Sequence, residues 1–167
     1  MKIEHALLKD IPLIQDLARK SWESAYKEIL GQAQIEYMLS TMYSTQELQN
    51  QIEENPNYHY VLIWNKNTVG GFMGFEHHYE EQTTKLHRLY LLPEAQGKGL
   101  GKASLNFLKK EAKMNKDTRI ILNVNKNNNA RNIYESQGFT IYDEGVFDIG
   151  NGYVMDDFLM EFFLLKK

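Results

Sequence analysis

The sequence contains no cysteine among its 167 residues. Disulfides, thiolate nucleophiles and cysteine-built zinc or iron–sulfur centres are thereby excluded, and the cytosol is permitted. Proline is scarce, at three residues. No linker, low-complexity stretch or internal repeat is visible, so a single domain over 1–167 is expected. No apolar run approaches the roughly 20 residues that a membrane span needs. The opening MKIEHALLKD alternates and then turns charged, unlike a signal peptide. An excess of charge is missing too: 19 Lys plus Arg against 22 Asp plus Glu leave a net charge of −3. That balance disfavours a nucleic-acid binder working by bulk attraction to phosphate. A cytoplasmic domain with no membrane and no nucleic-acid partner is the expectation.

What is present is 43% hydrophobic and 12% aromatic residues, enough for a real core. Residues 1–8 read as a strand. Asp10 and Pro12 then read as N-cap and first turn of a helix running to about Leu30 and broken by Gly31. A second helix covers about Ala33 to Met42, and Ser44 with Glu47 forms a capping-box pattern opening a third, through Ile52. From Tyr58 the texture changes to aromatic and β-branched residues, with strands over 58–64, 69–79 and 83–92. Leu89-Tyr90-Leu91-Leu92 reads as buried on both faces. A helix follows to about Asn115, with Leu100, Ala103, Phe107 and Met114 as its apolar stripe and Leu105, Leu108 and Ala112 alongside. A short buried strand (120–124) leads to a helix over 127–137 closed by Gly138. Two strands around Gly150-Asn151-Gly152 end the chain as a hairpin. The sum is a mixed α/β sheet with two late strand–helix–strand crossings.

The informative stretch is Gln96-Gly97-Lys98-Gly99-Leu100-Gly101, between a strand and an amphipathic helix. Glycine there removes Cβ from the path of a ligand and permits positive φ. The first helical amides lack intrahelical acceptors and point outward with the positive end of the dipole behind them. Such a loop suits a phosphate or diphosphate, and Lys98 adds a cation. The nucleotide P-loop pattern fails, because Gly101-Lys102 is followed by Ala103. The dinucleotide fingerprint fails on glycine spacing.

Gln96-x-x-Gly99-x-Gly101 after Leu89-Tyr90-Leu91-Leu92-Pro93 resembles the cofactor loop of the GCN5-related N-acetyltransferases (GNAT). Asn127-x-x-Ala130-x-x-x-Tyr134-x-x-x-Gly138-Phe139 is similar to that family's second signature. The resemblance covers about residues 58–164. It implies a mostly antiparallel central sheet with splayed parallel strands at the cofactor site, flanked by helices. It further implies that the amides of Gln96, Gly97, Lys98, Gly99, Leu100 and Gly101 hold the diphosphate of acetyl-coenzyme A. Backbone groups of Leu89, Tyr90 and Leu91 would hold its pantetheine arm, and Asn127 would cap its helix and touch the cofactor. Tyr134 stands where the family commonly places a phenol as general acid, and a reference pKa near 10 keeps it protonated at neutral pH.

For the base, His87 occupies the strand leading into the loop, where family members often carry His or Glu. Glu76 and His78, expected on one face of the preceding strand, are second choices, and water is a third. Glu76, His77 and His78 are sequence neighbours, but strand neighbours point to opposite faces, so no metal is expected. The segment 21–52 carries Trp22, Tyr26, Tyr37 and Tyr43 among Glu23, Glu28, Glu36 and Glu47. Aromatic and acidic groups together suit an aliphatic polycation. That cap, and the ending Val154-Met155-Asp156-Asp157-Phe158-Leu159-Met160-Glu161, resemble the bacterial polyamine acetyltransferases of the PaiA kind. The resemblance therefore implies transfer of acetyl directly to a primary amine, a small molecule such as spermidine. A protein N-terminus or lysine as acceptor, and a non-catalytic acyl-coenzyme-A sensor, stay open as alternatives. The C-terminal hairpin is a candidate contact for a homodimer.

Overall fold

The alternating aromatic and β-branched residues from Tyr58 onward build the centre of the molecule. In the computed structural model, which describes residues 2–164, seven strands form one sheet in the order β1-β2-β3-β4-β5-β7-β6. They are β1 (Lys2–His5), β2 (Tyr58–Asn65), β3 (Thr68–Glu80), β4 (Thr83–Leu91), β5 (Arg119–Asn125), β6 (Thr140–Gly150) and β7 (Tyr153–Phe163). The helices are α1 (Ile11–Tyr26), α2 (Gln32–Met42), α3 (Thr45–Glu53), α4 (Leu100–Met114) and α5 (Ala130–Ser136). Neighbouring strands are antiparallel except β4 and β5. The mixed, mostly antiparallel sheet of the sequence reading is present.

Strand alternation sorts the two faces. Tyr90 meets Trp22 and Tyr26 of α1, and Tyr43 after α2 packs edge-on against Phe72. On the opposite face Phe75 packs on Phe107 of α4, and Lys109 of α4 donates to the Gln137 carbonyl beyond α5. Helices α1 to α3 thus cover one face and α4 with α5 the other. Trp22, Phe72, Phe75, Leu105 and Leu108 are fully buried between these layers. At the distal hairpin Asn151 (φ 55°) and Gly152 (φ 78°) are both left-handed, as a two-residue primed turn requires.

Several local expectations need correction. Asp10 does not cap α1 with its side chain; its Oδ2 accepts the Leu7 N–H, closing the preceding 3-10 turn. Helix α1 ends at Tyr26 rather than near Leu30, and the Ile29 amide bonds the Tyr26 carbonyl three residues back, a tighter turn than the α-helix. Met114 is 76% exposed. The buried face of α4 holds Leu100 of the expected stripe, the flanking Leu105, Leu108 and Ala112, and also Gly101 and Ser104. The second strand–helix–strand crossing does not close, since β7 inserts between β5 and β6. Ser44 does cap α3, accepting the Glu47 N–H.

Candidate active site

The one parallel ladder is short. It pairs Thr83 with Arg119 through Leu86 with Leu122 and stops, although β4 continues to Leu91 and β5 to Asn125. The stop coincides with a β-bulge in β4. Phe75 of β3 pairs with Leu86 and Gly74 with Arg88, leaving His87 as the extra residue. A bulge bends its strand, and β4 leans away from β5 from this point. Leu89, Tyr90 and Leu91 are therefore half-buried, not enclosed on both faces as their apolar run suggested. Between the parted strands lies a cavity of about 670 Å³, inside the range of small-molecule sites.

The glycine loop forms one end of this cavity. Gly97 (φ 76°) and Gly99 (φ 78°) are left-handed, and a Cβ on either would meet nothing within 4 Å. Their reason is therefore backbone conformation and an open approach. The N–H groups of residues 97–99 find no backbone acceptor among the described residues, and they lead into the amino end of α4. Gly101 is glycine for a different reason: its Cβ would collide with Ile133 Cδ1, so it sets the close packing of α4 on α5. Gln96 Nε2 donates to the Leu91 carbonyl at 3.3 Å, closing the loop on β4. Of the residues expected to hold cofactor, Leu89, Tyr90, Leu91, Gln96, Gly97, Gly99, Leu100, Gly101 and Asn127 line the cavity. Lys98 stays out of the lining, and Lys102 takes its place.

Tyr134 of α5 also lines the cavity. Its ring is buried against Phe139 at 6.0 Å between centroids, and its hydroxyl has no hydrogen-bond partner among the described residues. Burial raises the phenol well above its ordinary value, so it holds its proton throughout the neutral range. Asn127 is not the cap of α5, which starts at Ala130. It lies in the preceding turn, donating its N–H to Asn125 Oδ1. Asn128 performs the turn-closing role, its Oδ1 accepting the Ala130 N–H. Asn128 Nδ2 reaches the Tyr26 hydroxyl at 3.3 Å, and that hydroxyl meets the Tyr90 hydroxyl at 3.3 Å. Three separate segments are tied together there beside the cavity.

The bulged His87 stacks on Tyr58 (centroids 4.9 Å apart, 15° between planes), and its Nε2 is 3.0 Å from Glu76 Oε1. Asn55 Nδ2 holds the other Glu76 oxygen at 3.0 Å. Burial pushes the imidazole below its ordinary range, against the pull of Glu76. His87 is accordingly neutral at pH 7, with its Nε2 engaged by Glu76. His78 does not share the face of Glu76. A bulge in β3 puts it at φ 54°, and its Nδ1 turns to Asp117 Oδ1 at 2.7 Å, which removes it from the site.

Most of the aromatic and acidic cap faces elsewhere. Glu23 and Glu36 both engage Arg19, Glu47 accepts from Gln51, and Trp22 and Tyr43 are buried in the core. Tyr26 and Glu28 are the members of that set that line the cavity. Sequence reasoning missed Ser21, Asn123 and Asn128 in the wall. The run Asn127-Asn128-Asn129 was a usable signal for the last; a lone serine in a helix and an asparagine in a buried strand carry none.

A GNAT acetyltransferase domain model matches residues 26–152, most of the chain and all of this cleft's loops. The chain belongs to the GNAT acetyltransferase family. It is an N-acetyltransferase and uses acetyl-coenzyme A, and the free amides and open glycines of residues 97–99 fit the diphosphate of that group. A curated relative, the spermidine N(1)-acetyltransferase of Thermoplasma acidophilum, is 26% identical over 160 residues, covering 93% of this chain and 96% of the relative. Among solved structures, the PaiA N-acetyltransferase of Thermoplasma acidophilum in complex with coenzyme A superposes with a TM-score of 0.80 at 27% identity, over 96% of this chain and 98% of that one. A GCN5-related N-acetyltransferase from Rhodopseudomonas palustris shares the fold at TM-score 0.81 and 15% identity, over 98% and 95% of the two chains. The chain is thus a PaiA-like member of the GNAT family.

Proposed function

We propose that this N-acetyltransferase acetylates a primary amine of a small aliphatic polycation such as spermidine. The observation that carries the reading is the parting of β4 from β5 with Tyr134 on one wall and the His87–Glu76 pair on β3 and β4. The acidic and aromatic wall residues Glu28, Tyr26 and Tyr90 favour a cation over an anion. The spermidine N(1)-acetyltransferase of Thermoplasma acidophilum, similar along nearly its whole length, points the same way.

Acetyl-coenzyme A supplies the activated acetyl group. The amides of residues 97–101 would neutralise the diphosphate, and the unpaired backbone edge of Leu89, Tyr90 and Leu91 would take the pantetheine in place of a strand. Asn127 stands at the cavity edge as a further contact. His87, neutral and held by Glu76, would accept the proton of the incoming ammonium, generating the nucleophilic amine. The Tyr134 hydroxyl would donate its proton to the departing sulfur as the new amide forms. The transfer would be direct from thioester to amine, and no cysteine is present to carry a thioester-linked acyl group.

Thiol release from acetyl-coenzyme A, measured against a panel of polyamines, monoamines and peptides, tests the reading. Turnover with polyamines and little with peptides is the expected result. Cofactor binding without turnover on any amine or peptide would instead favour an acyl-coenzyme-A sensor.

A further inference from the structure

Arg88 of β4 is 7% exposed, and no carboxylate of the described residues forms an ion pair with it. Buried charges are normally paired, and an apolar side chain of similar volume commonly serves stability as well or better. The reason for a cation at this position lies in what surrounds it.

The guanidinium is clasped by tyrosines. Its Nη1 donates to the Tyr60 hydroxyl at 2.6 Å, and its Cζ lies 4.2 Å from the Tyr43 ring centroid and 5.8 Å from that of Tyr60. The Tyr60 hydroxyl gives its own proton to Gln51 Oε1 of α3. Toward Tyr58, whose hydroxyl is 3.4 Å away, it can therefore only accept. Tyr58 and Tyr60 stand two residues apart on β2 and share a face, with their rings 5.2 Å apart. Gly74 of β3, opposite Arg88, leaves room for this stack: a Cβ there would come within 2.9 Å of the Tyr60 ring. Tyr58 in turn is the ring on which His87 stacks, and Tyr79 meets the same imidazole edge-on at 5.5 Å.

With Nε2 engaged by Glu76, Nδ1 is the imidazole nitrogen left to take a proton. Its lone pair lies in the plane of the ring, so the tilt of the ring decides where it points. A base works only within hydrogen-bond reach of the proton it removes.

We infer that Arg88 is a positioning residue for the proposed base: through Tyr60 and Tyr58 it fixes the plane of the His87 imidazole. The inference rests on His87 as base in the amine-acetyltransferase reading above. A guanidinium suits the task, because it is flat and grips a ring face and a phenol oxygen at once.

The test reads the His87 ring by NMR, and turnover by thiol release with the amine that reacts fastest in the panel above. In wild type the His87 ring protons should show nuclear Overhauser contacts to Tyr58 and the upfield shift of a stacked ring. Their absence overturns the inference and needs no variant. In Arg88→Met both signatures should weaken, and kcat should fall about tenfold, as far as in His87→Ala. KM and the coenzyme A Kd should stay within about twofold. Arg88→Lys should recover part of the loss. Tyr60→Phe, which removes the hydroxyl that Arg88 holds and keeps the ring, should act in the same direction and gives the same decision if Arg88→Met does not fold. Unchanged His87 signals in these variants, whatever happens to kcat, assign Arg88 to the fold and overturn the inference. A raised KM with kcat kept makes Arg88, which borders the cavity, an acceptor contact and overturns it as well. Full turnover in His87→Ala overturns the base reading and this inference with it. A tenfold loss in His87→Ala beside none in Arg88→Met overturns this inference alone.

Discussion

The donor end of the cleft is made of backbone, and the acceptor end is made of side chains. At the proposed donor end the groups on offer are the amides of residues 97–99 and the unpaired edge of β4, held in place by two left-handed glycines. At the proposed acceptor end Tyr26, Glu76, His87, Asn128 and Tyr134 come from α1, β3, β4, a turn and α5. The difference has a physical consequence. Backbone recognition of a diphosphate depends on chain conformation, so it survives almost any change that keeps the glycines. Side-chain recognition of an amine depends on each group separately, so it changes with single substitutions and carries the specificity.

That contrast predicts which parameter each variant moves. The largest effect belongs to Tyr134→Phe, which removes the proton donor and nothing else. Turnover should fall about 100-fold, while the coenzyme A Kd from calorimetry stays within about twofold. An equal loss in both would make Tyr134 part of the donor end instead. Gly99→Val should do the reverse. A β-branched residue at φ 78° is strained however much room surrounds it, and the loop must leave its conformation. A Kd raised about tenfold or more for every acceptor is the expected result, and an unchanged Kd would contradict a backbone-built donor site.

His87→Ala sharpens the comparison from the acceptor side. Since burial keeps His87 neutral, wild-type kcat/KM should show no loss from its protonation between pH 6.5 and 8. The variant should lose about tenfold at pH 7 and less at pH 9.5, where more of the amine is already deprotonated. A uniform loss across a pH–rate profile would give His87 a positioning role. The smallest effect concerns His77, 2% exposed on the opposite face and pushed by burial down to about 4. The unfolded chain takes up this proton near pH 6.5 and the folded one only near 4. Its contribution to stability is thus complete above pH 6.5 and lost as pH falls toward 4. Thermal melts should drop by about 5 °C between pH 7 and 5, and His77→Gln should flatten that slope. Coenzyme A affinity of the folded protein should stay level between pH 7 and 6, because no titrating side chain is needed at the donor end.

The same division governs what the sequence revealed. Strands and the donor loop were legible because alternation and glycine spacing are local. Gln96, Gly99 and Gly101 announce a phosphate loop within six residues. Local rules also explain the smaller misses: a helix one turn short at Tyr26, and a helix α5 that starts after Asn129 rather than at Asn127, both depend on how amides find acceptors across a turn. Gly101 had a packing reason, Ile133, that only the meeting of α4 and α5 reveals. The acceptor end was mostly hidden. The bulge that places His87 beside Glu76 is a register shift between two strands, and the tie of Asn128 to Tyr26 joins residues 102 positions apart. Neither leaves a mark in the residues themselves. The aromatic and acidic cap misled for the same reason: most of those side chains satisfy one another or the core.

A crystal structure of the protein with coenzyme A decides between backbone-built and other donor sites. The diphosphate is expected on the amides of residues 97–101 and the pantetheine along Leu89, Tyr90 and Leu91, in the gap left by β5. A diphosphate bound anywhere else, with β4 and β5 zipped together past Leu86 and Leu122, would contradict that expectation.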